Sequence, residues 1–399
     1  MPKTAERVQQ LGSGIFSELD VLRKQKEQEG VKTINLSIGS PDLPPAAHIK
    51  KALQAEMDNS NNYGYPLTDG LPAFKEAVAQ WYEKRFQVPL NPGTEVLPVM
   101  GSQDGLGHLG LAYLNPGDIA LVPDPGYPVY TAGVLLAGGV KYPLPLVAEN
   151  KFLPDLQAIP REIAWAAKLM YLNYPNNPVA AIADLDFFEE AVAFAKEYDL
   201  ILCHDLAYSE LAYDGYRPPS LLEVPGAKDV AIEFHSFSKT FCMAGCRLGF
   251  VVGNQEIIEG LATVKSNIDF GVFKPIQKAG IAALTGPDDW VKENAAIYQR
   301  RRDILVDGLN ALGWQIEKPK ASMFVWAPLP YGYTSSMQFS LDLLEKTGVV
   351  VVPGVAFGEQ GDRYVRMALV VEENLLEEAV ARIGRAFASF SSSVAGELP

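Results

Sequence analysis

Cysteine is nearly absent. Cys203, Cys242 and Cys246 are the three in 399 residues, too few for a disulfide framework and typical of a reducing compartment. Cys242-x3-Cys246 has no second ligand pair, and the four histidines do not stand in metal-binding spacing with it, so no metal is expected. Positive charge is also scarce. Lys and Arg total 34 against 48 Asp and Glu, a net charge of −14, which makes nucleic acid and anionic membrane poor partners. No run reaches the ~18 apolar residues of a membrane span, and the opening MPKTAERVQQLGSG lacks the apolar core of a signal peptide. There is no internal repeat and no low-complexity tract. The aromatic content, 18 Phe, 17 Tyr and 5 Trp, excludes general disorder. A soluble, cytoplasmic protein of two or three domains is expected. Any anion it binds must be held by local groups against an unfavourable overall field.

What is present is an alternating pattern. Short apolar runs at Val96–Val99, Ile119–Val122, Leu169–Leu172, Leu200–Cys203, Val230–Phe234 and Leu248–Val252 are separated by helix-like stretches such as Leu185–Tyr198. Buried strands alternating with helices predict an α/β layer structure around a largely parallel sheet. GPDD at Gly286 interrupts the chain and precedes a long charged helix, about Asp289–Leu312, whose KENAAIYQRRRD run reads as a solvated face. The remainder reads as a smaller α+β unit. The expected plan is a segment 1–40 that joins a small domain 287–399, with a large domain 41–286 between them and a cleft where they meet. The tail after Phe390 is expected to fray.

In an open α/β sheet, ligands lie beyond the carboxyl ends of the strands. Gly101-Ser102-Gln103 follow the first run, Tyr127 the second, Asn177 the third, Asp205 and Tyr208 the fourth, and Ser236-Phe237-Ser238-Lys239 the fifth. Five successive strand ends thus carry polar, aromatic or charged groups. The helix opening at Gly101-Ser102-Gln103 favours an anion through its free N–H groups. Ser236, Ser238 and Arg247 add hydroxyls and a guanidinium. Tyr127 offers an aromatic face. Asp205 at a buried strand end is costly without a cation or strong donor. Lys239 on the same rim is a candidate Schiff-base nucleophile. Anion seat, aromatic platform, buried carboxylate and lysine are what pyridoxal phosphate requires.

The SFSKT motif at Ser236–Thr240, Arg247 in CRLGF, NNP at Asn176–Pro178, DLAY at Asp205–Tyr208 and Arg366 in RYVRMAL stand in the order found in fold type I pyridoxal-phosphate enzymes. Over nearly its whole length the chain resembles their class I/II aminotransferases. The resemblance implies a role for each residue. Lys239 would bind the cofactor aldehyde covalently, Asp205 would pair with the ring nitrogen, and Asn177 and Tyr208 with the ring oxygen, while Tyr127 stacks on the ring. Gly101, Ser102, Gln103, Ser236, Ser238 and Arg247 would hold the phosphate, with Tyr65 reaching it from a partner subunit of a homodimer. Arg366 would grip the substrate carboxylate, with the Gly39 backbone close by. The implied reaction moves an amino group from an L-amino acid to a 2-keto acid such as 2-oxoglutarate.

GIFSEL near Ser17, SFSKTFCMAGCRLGF and VKSNIDFGVF are most similar to the LL-diaminopimelate aminotransferase subgroup. A broad-range aspartate- or alanine-type transaminase and a C–S lyase of the same fold share the cofactor residues and remain alternatives. Three departures stand out: Val179-Ala180 replaces the family's Thr-Gly, Gly14 a common tyrosine, and Gln103 a lysine found in some members. Lys265 and Asn267 are expected in a loop that meets the substrate side chain across the dimer. His204, next to Asp205, points to the opposite face of its strand and is expected to pack in the core.

Overall fold

The computed structural model describes residues 3–11 and 14–387; the tail expected to fray lies outside them. Among the described residues twelve strands form: β1 (Ile34–Asn35), β2 (Val96–Val99), β3 (Ile119–Asp124), β4 (Val140–Pro145), β5 (Ala167–Asn173), β6 (Ile201–Asp205), β7 (Ala231–Ser236), β8 (Gly249–Gly253), β9 (Phe324–Pro328), β10 (Val349–Val350), β11 (Val352–Pro353) and β12 (Tyr364–Ala368). Seven make one mixed sheet in the order β2-β8-β7-β6-β5-β3-β4. β8 is antiparallel to both its neighbours and every other pair is parallel. β2 therefore runs in the same direction as β7, and the strands read from sequence as site-bearing all end on one edge.

Apart from its edge strand β4, the sheet is buried on both faces, as a parallel sheet covered by helices must be. Alternate residues divide between two apolar clusters: Leu121, Met170, Leu172 and Leu202 go to one, and Val122, Leu169, Tyr171 and Cys203 to the other. A third cluster sits between the smaller sheet β11-β12-β9 and its helices, among them Asp289–Ala311. β1 pairs in parallel with β10, Ile34 opposite Val349, which fastens the N-terminal segment to the C-terminal third.

The Asp289–Ala311 helix corrects one expectation. Its KENAAIYQRRRD run is not a solvated face, because Asn294, Tyr298, Arg301 and Arg302 are buried. Arg301 forms a two-pronged pair with Asp42, at 2.8 and 2.7 Å, and donates to the Leu369 carbonyl. Arg302 pairs with Asp214 and Asp303. Charge spacing along a helix matches a solvated face equally well; partners distant in sequence, Asp42 and Asp214, decide burial. No helix among the described residues is long and apolar enough to cross a membrane.

Candidate active site

The carboxyl ends of β2, β3, β5, β6 and β7 open on a cavity of about 740 Å³. Of the residues singled out from sequence, Gly39, Ser102, Gln103, Tyr127, Asn177, Asp205, Tyr208, Ser236, Ser238, Lys239, Arg247 and Arg366 all line it. Gly101 stands just behind the lining. Tyr65 does not line it: its ring is exposed and packs on Phe270, 4.9 Å between centroids.

The anion seat is built where β2 turns into the Ser102–Tyr113 helix. Gly101 has φ +79°, and a Cβ there would lie 2.6 Å from Arg247 Nη2, so only glycine lets the guanidinium approach this backbone. Ser236 caps the turn that carries the lysine, its Oγ accepting the Ser238 N–H at 3.2 Å.

Lys239 is held by the loop that follows β1: its Nζ donates to the Gly39 carbonyl at 2.6 Å. A Cβ on Gly39 would sit 2.9 Å from the Phe324 ring, so the loop reaches the lysine only because residue 39 has no side chain. Burial, with Arg366 and Arg247 nearby and partly opposed by Asp205, lowers the Lys239 amine to about 8.

Asp205 ends β6. Its Oδ2 accepts from the Tyr130 hydroxyl at 2.8 Å, while its Oδ1 is buried without a hydrogen-bond partner. Burial raises its pKa, and the Tyr130 hydroxyl, His204, the Ala207 N–H and His235 offset this only in part. A buried carboxylate oxygen left open is a seat for a donor or cation that the chain does not supply. Tyr208, buried beside it, packs edge-on against Phe324 with 5.8 Å between centroids, and burial raises its phenol further from ionisation.

Arg366 projects from β12 into the same cavity. It donates to Asn177 Oδ1 at 2.8 Å and to the Ser37 carbonyl at 2.9 Å, leaving Nε without a partner. Its guanidinium lies over Phe324 and Phe357, 4.1 and 4.7 Å from the ring centroids. Burial lowers its pKa to about 10, still a cation at neutral pH.

Sequence reasoning missed Tyr130, Phe324 and Phe357. Tyr130 lies one helical turn beyond Tyr127 in a helix opened by Pro128, a spacing that could have found it. The two phenylalanines carry no local signal. Lys265 is a further correction. It stands in the last turn of the Gln255–Ser266 helix, buried between Asp104 and Asp269 rather than in a loop open to substrate. Asn267 caps that helix, its Nδ2 donating to the Thr263 carbonyl. Val179-Ala180 keeps a tight turn, with Ala180 at φ +56°. His204 is fully buried on the far face of β6, its Nδ1 2.8 Å from Glu233 Oε2, as its strand position implied.

A family model described as aminotransferase class I and II matches residues 31–383. Among curated relatives, an LL-diaminopimelate aminotransferase of Moorella thermoacetica is 52% identical over 381 residues, 96% of this chain and 97% of that one. LL-diaminopimelate aminotransferase 2 of a Nostoc species is 50% identical, covering 95% and 97%. Among solved structures, substrate-bound BacF from Bacillus subtilis superposes with a TM-score of 0.93 at 42% identity, covering 98% of this chain and all of that one. A Thermus thermophilus aspartate aminotransferase mutant gives 0.91 at 28% identity, covering 97% and 100%.

Proposed function

Since this chain belongs to the class I and II aminotransferases, a pyridoxal-phosphate-dependent family, we propose that its cavity holds pyridoxal phosphate and transfers the amino group of LL-diaminopimelate to a 2-keto acid, 2-oxoglutarate first among them. The observation that carries this reading is the open, buried Oδ1 of Asp205 in the same cavity as a lysine lowered to about 8. That pair of groups fits a ring with a protonatable nitrogen and an aldehyde.

When bound, the cofactor supplies an aldehyde that captures amines and a ring that draws electron density from the substrate α-carbon. Asp205, its carboxylate fixed by Tyr130, would hold the positive charge at the ring nitrogen. Ser102, Gln103, Ser236, Ser238, Arg247 and the Gly101 turn would hold the phosphate. Asn177, whose Oδ1 is occupied by Arg366, would donate its amide N–H to the ring oxygen together with Tyr208, and Tyr127 would pack on the ring. Lys239 takes the α-proton. In the cofactor-free protein, with a value of about 8, about one Lys239 amine in four is neutral at pH 7.5 and free to capture the aldehyde, against about one in a thousand at the ordinary 10.5. Arg366 orients the substrate by its α-carboxylate, with the planar fork a lysine lacks. The Gly39 carbonyl steadies Lys239 between proton transfers.

The substrate's far end would meet Phe16, Ser17, Ser40 and Phe357, which also line the cavity. The relatives named above support diaminopimelate. We also propose a twofold homodimer in which Tyr65 completes the partner's site. The exposure of Tyr65 (80%), Leu67 (76%) and Phe270 (62%) on one surface supports it. In the same reading the segment 1–40 joins the small domain 287–399 beside the large domain 41–286, a division the β1–β10 pairing favours.

The test is a donor panel of LL-diaminopimelate, glutamate, aspartate, alanine and methionine with 2-oxoglutarate. Transfer from diaminopimelate at least tenfold faster than from the others is expected. Comparable transfer from several donors replaces the narrow reading with a broad-range transaminase. Multiple-turnover, keto-acid-independent release of methanethiol, 2-oxobutyrate and ammonia from methionine replaces it with a lyase.

A further inference from the structure

Lys265 has no exposed side-chain surface and lies outside the cavity, yet it is wired to the anion seat. Its ammonium bonds Asp104 and, at 2.8 Å, Asp269 Oδ2. Asp104 is the third residue of the Ser102–Tyr113 helix, and its Oδ2 also accepts the Met100 N–H at 3.0 Å. That carboxylate therefore closes the turn holding Gly101, Ser102 and Gln103. Asp269 accepts the Gly271 N–H at 2.7 Å on its other oxygen, and its carbonyl accepts from the Thr68 hydroxyl at 3.3 Å.

Two carboxylates this close to a phosphate seat would repel a dianion and each other. Donor atoms of Asp104, His108 and Asp269 lie within 4.8 Å of one another, a spacing that would suit a metal ion. The Lys265 ammonium already bonds both carboxylates and does that work. Burying an ammonium is expensive unless it is fully paired, and here it offsets the repulsion and pins the turn. Burial alone would raise Asp104, but His108 and Lys265 bring it down to about 2, so it stays ionised.

We propose that Lys265 is a positioning residue for the cofactor's phosphate, holding Asp104 and through it the Gly101–Gln103 turn. This rests on the pyridoxal-phosphate reading above. A loss of Lys265 should then weaken the phosphorylated aldehyde and spare the unphosphorylated one.

The experiment titrates cofactor-free protein with pyridoxal 5'-phosphate and, separately, with pyridoxal, following the visible absorbance of the bound aldehyde. For Lys265→Met, a dissociation constant at least tenfold higher is expected for pyridoxal phosphate, with pyridoxal unchanged within twofold. Lys265→Arg, which keeps a cation, should recover most of the loss. Equal weakening of both compounds would mean a merely structural residue and overturn the proposal, as would no weakening of either. If Lys265→Met does not fold, Lys265→Gln, which retains a donor for Asp104, makes the same comparison, with a loss of at least threefold confined to the phosphorylated compound. Wild-type protein that fails to bind pyridoxal phosphate would instead sink the cofactor reading itself.

Discussion

Two buried acids on neighbouring strands have opposite fates. Asp205 ends β6 on one face of the sheet, and Glu233 lies on β7 opposite His204 on the other. Both are buried, at 4% and 0% exposure. Glu233 is saturated: it accepts from the Tyr82 hydroxyl, from Ser220 Oγ at 2.8 Å and from the Leu221 N–H at 2.9 Å, and it faces His204 Nδ1 at 2.8 Å and His235 Nε2 at 3.1 Å. Burial alone would raise its pKa, but the two histidines carry it well below the ordinary value. Asp205 has the Tyr130 bond and an open oxygen, and its pKa is raised. Burial of a carboxylate therefore does not mark a functional site. What marks it is a partner that the fold withholds.

The comparison sharpens most at Lys239, the other group the fold leaves available. Lys239→Ala should lower turnover by at least about 10⁴-fold while leaving the fold intact and the cavity able to bind pyridoxal phosphate. Steady-state rates and cofactor titration check both halves; retained turnover would end the mechanism. Asp205→Asn comes next. It should cost about 10³-fold in rate by removing the charge opposite the ring nitrogen, with no loss of stability in the cofactor-free protein. Glu233→Gln should do the reverse, losing about 3 kcal/mol of stability in denaturant titration, with turnover of the folded protein within about threefold. If Glu233→Gln silences catalysis in folded protein, the two acids are not divided as described.

These roles were unequally visible in the sequence. The rule that ligands gather at strand ends found nine of the twelve cavity residues, because a parallel strand run ends in its loop at a place the sequence itself marks; Arg247 lies beyond those ends, and Gly39 and Arg366 were found through the family resemblance. The His204/Asp205 alternation was readable for the same reason, since successive strand residues face opposite ways. β4 was invisible as a strand: KYPLP carries two prolines, and as an edge strand it exposes most of its side chains. Arg301, Arg302 and Lys265 were misread because their partners Asp42, Asp214 and Asp104 meet them only through topology, 259, 88 and 161 residues away. Phe324 and Phe357 flank Arg366 for the same non-local reason.

A smaller effect tests the state of Lys239 before any substrate arrives. Capture of pyridoxal phosphate by the cofactor-free protein needs the neutral amine. With the amine at about 8, the capture rate should rise about tenfold from pH 7 to 9 and then level. Stopped-flow absorbance across that range checks it. A rate still climbing steeply at pH 10 would place the amine near its ordinary value and remove the reason for its burial.

The smallest effect separates the two acids by the sign of their pH dependence in cofactor-free protein. The folded pKa of Asp205 is raised above 3.8 by burial, so the native state holds its proton more tightly than the unfolded chain. Its burden on stability is then felt above the folded pKa and relieved as pH falls through it. Glu233 is lowered below 4.5, after His204 and His235 overcome the burial that would raise it. Its contribution is present above 4.5 and is lost as pH falls from there toward the folded value. Asp205→Asn should therefore be more stable than wild type at pH 7, and that gap should close as pH falls toward 4. Glu233→Gln should be less stable at pH 7, with its deficit shrinking only below about pH 4.5. Denaturant midpoints at half-unit pH steps distinguish the two. A gap for Asp205→Asn that stays constant, or widens on acidification, would mean that the open oxygen is already satisfied and that the contrast between the two acids does not hold.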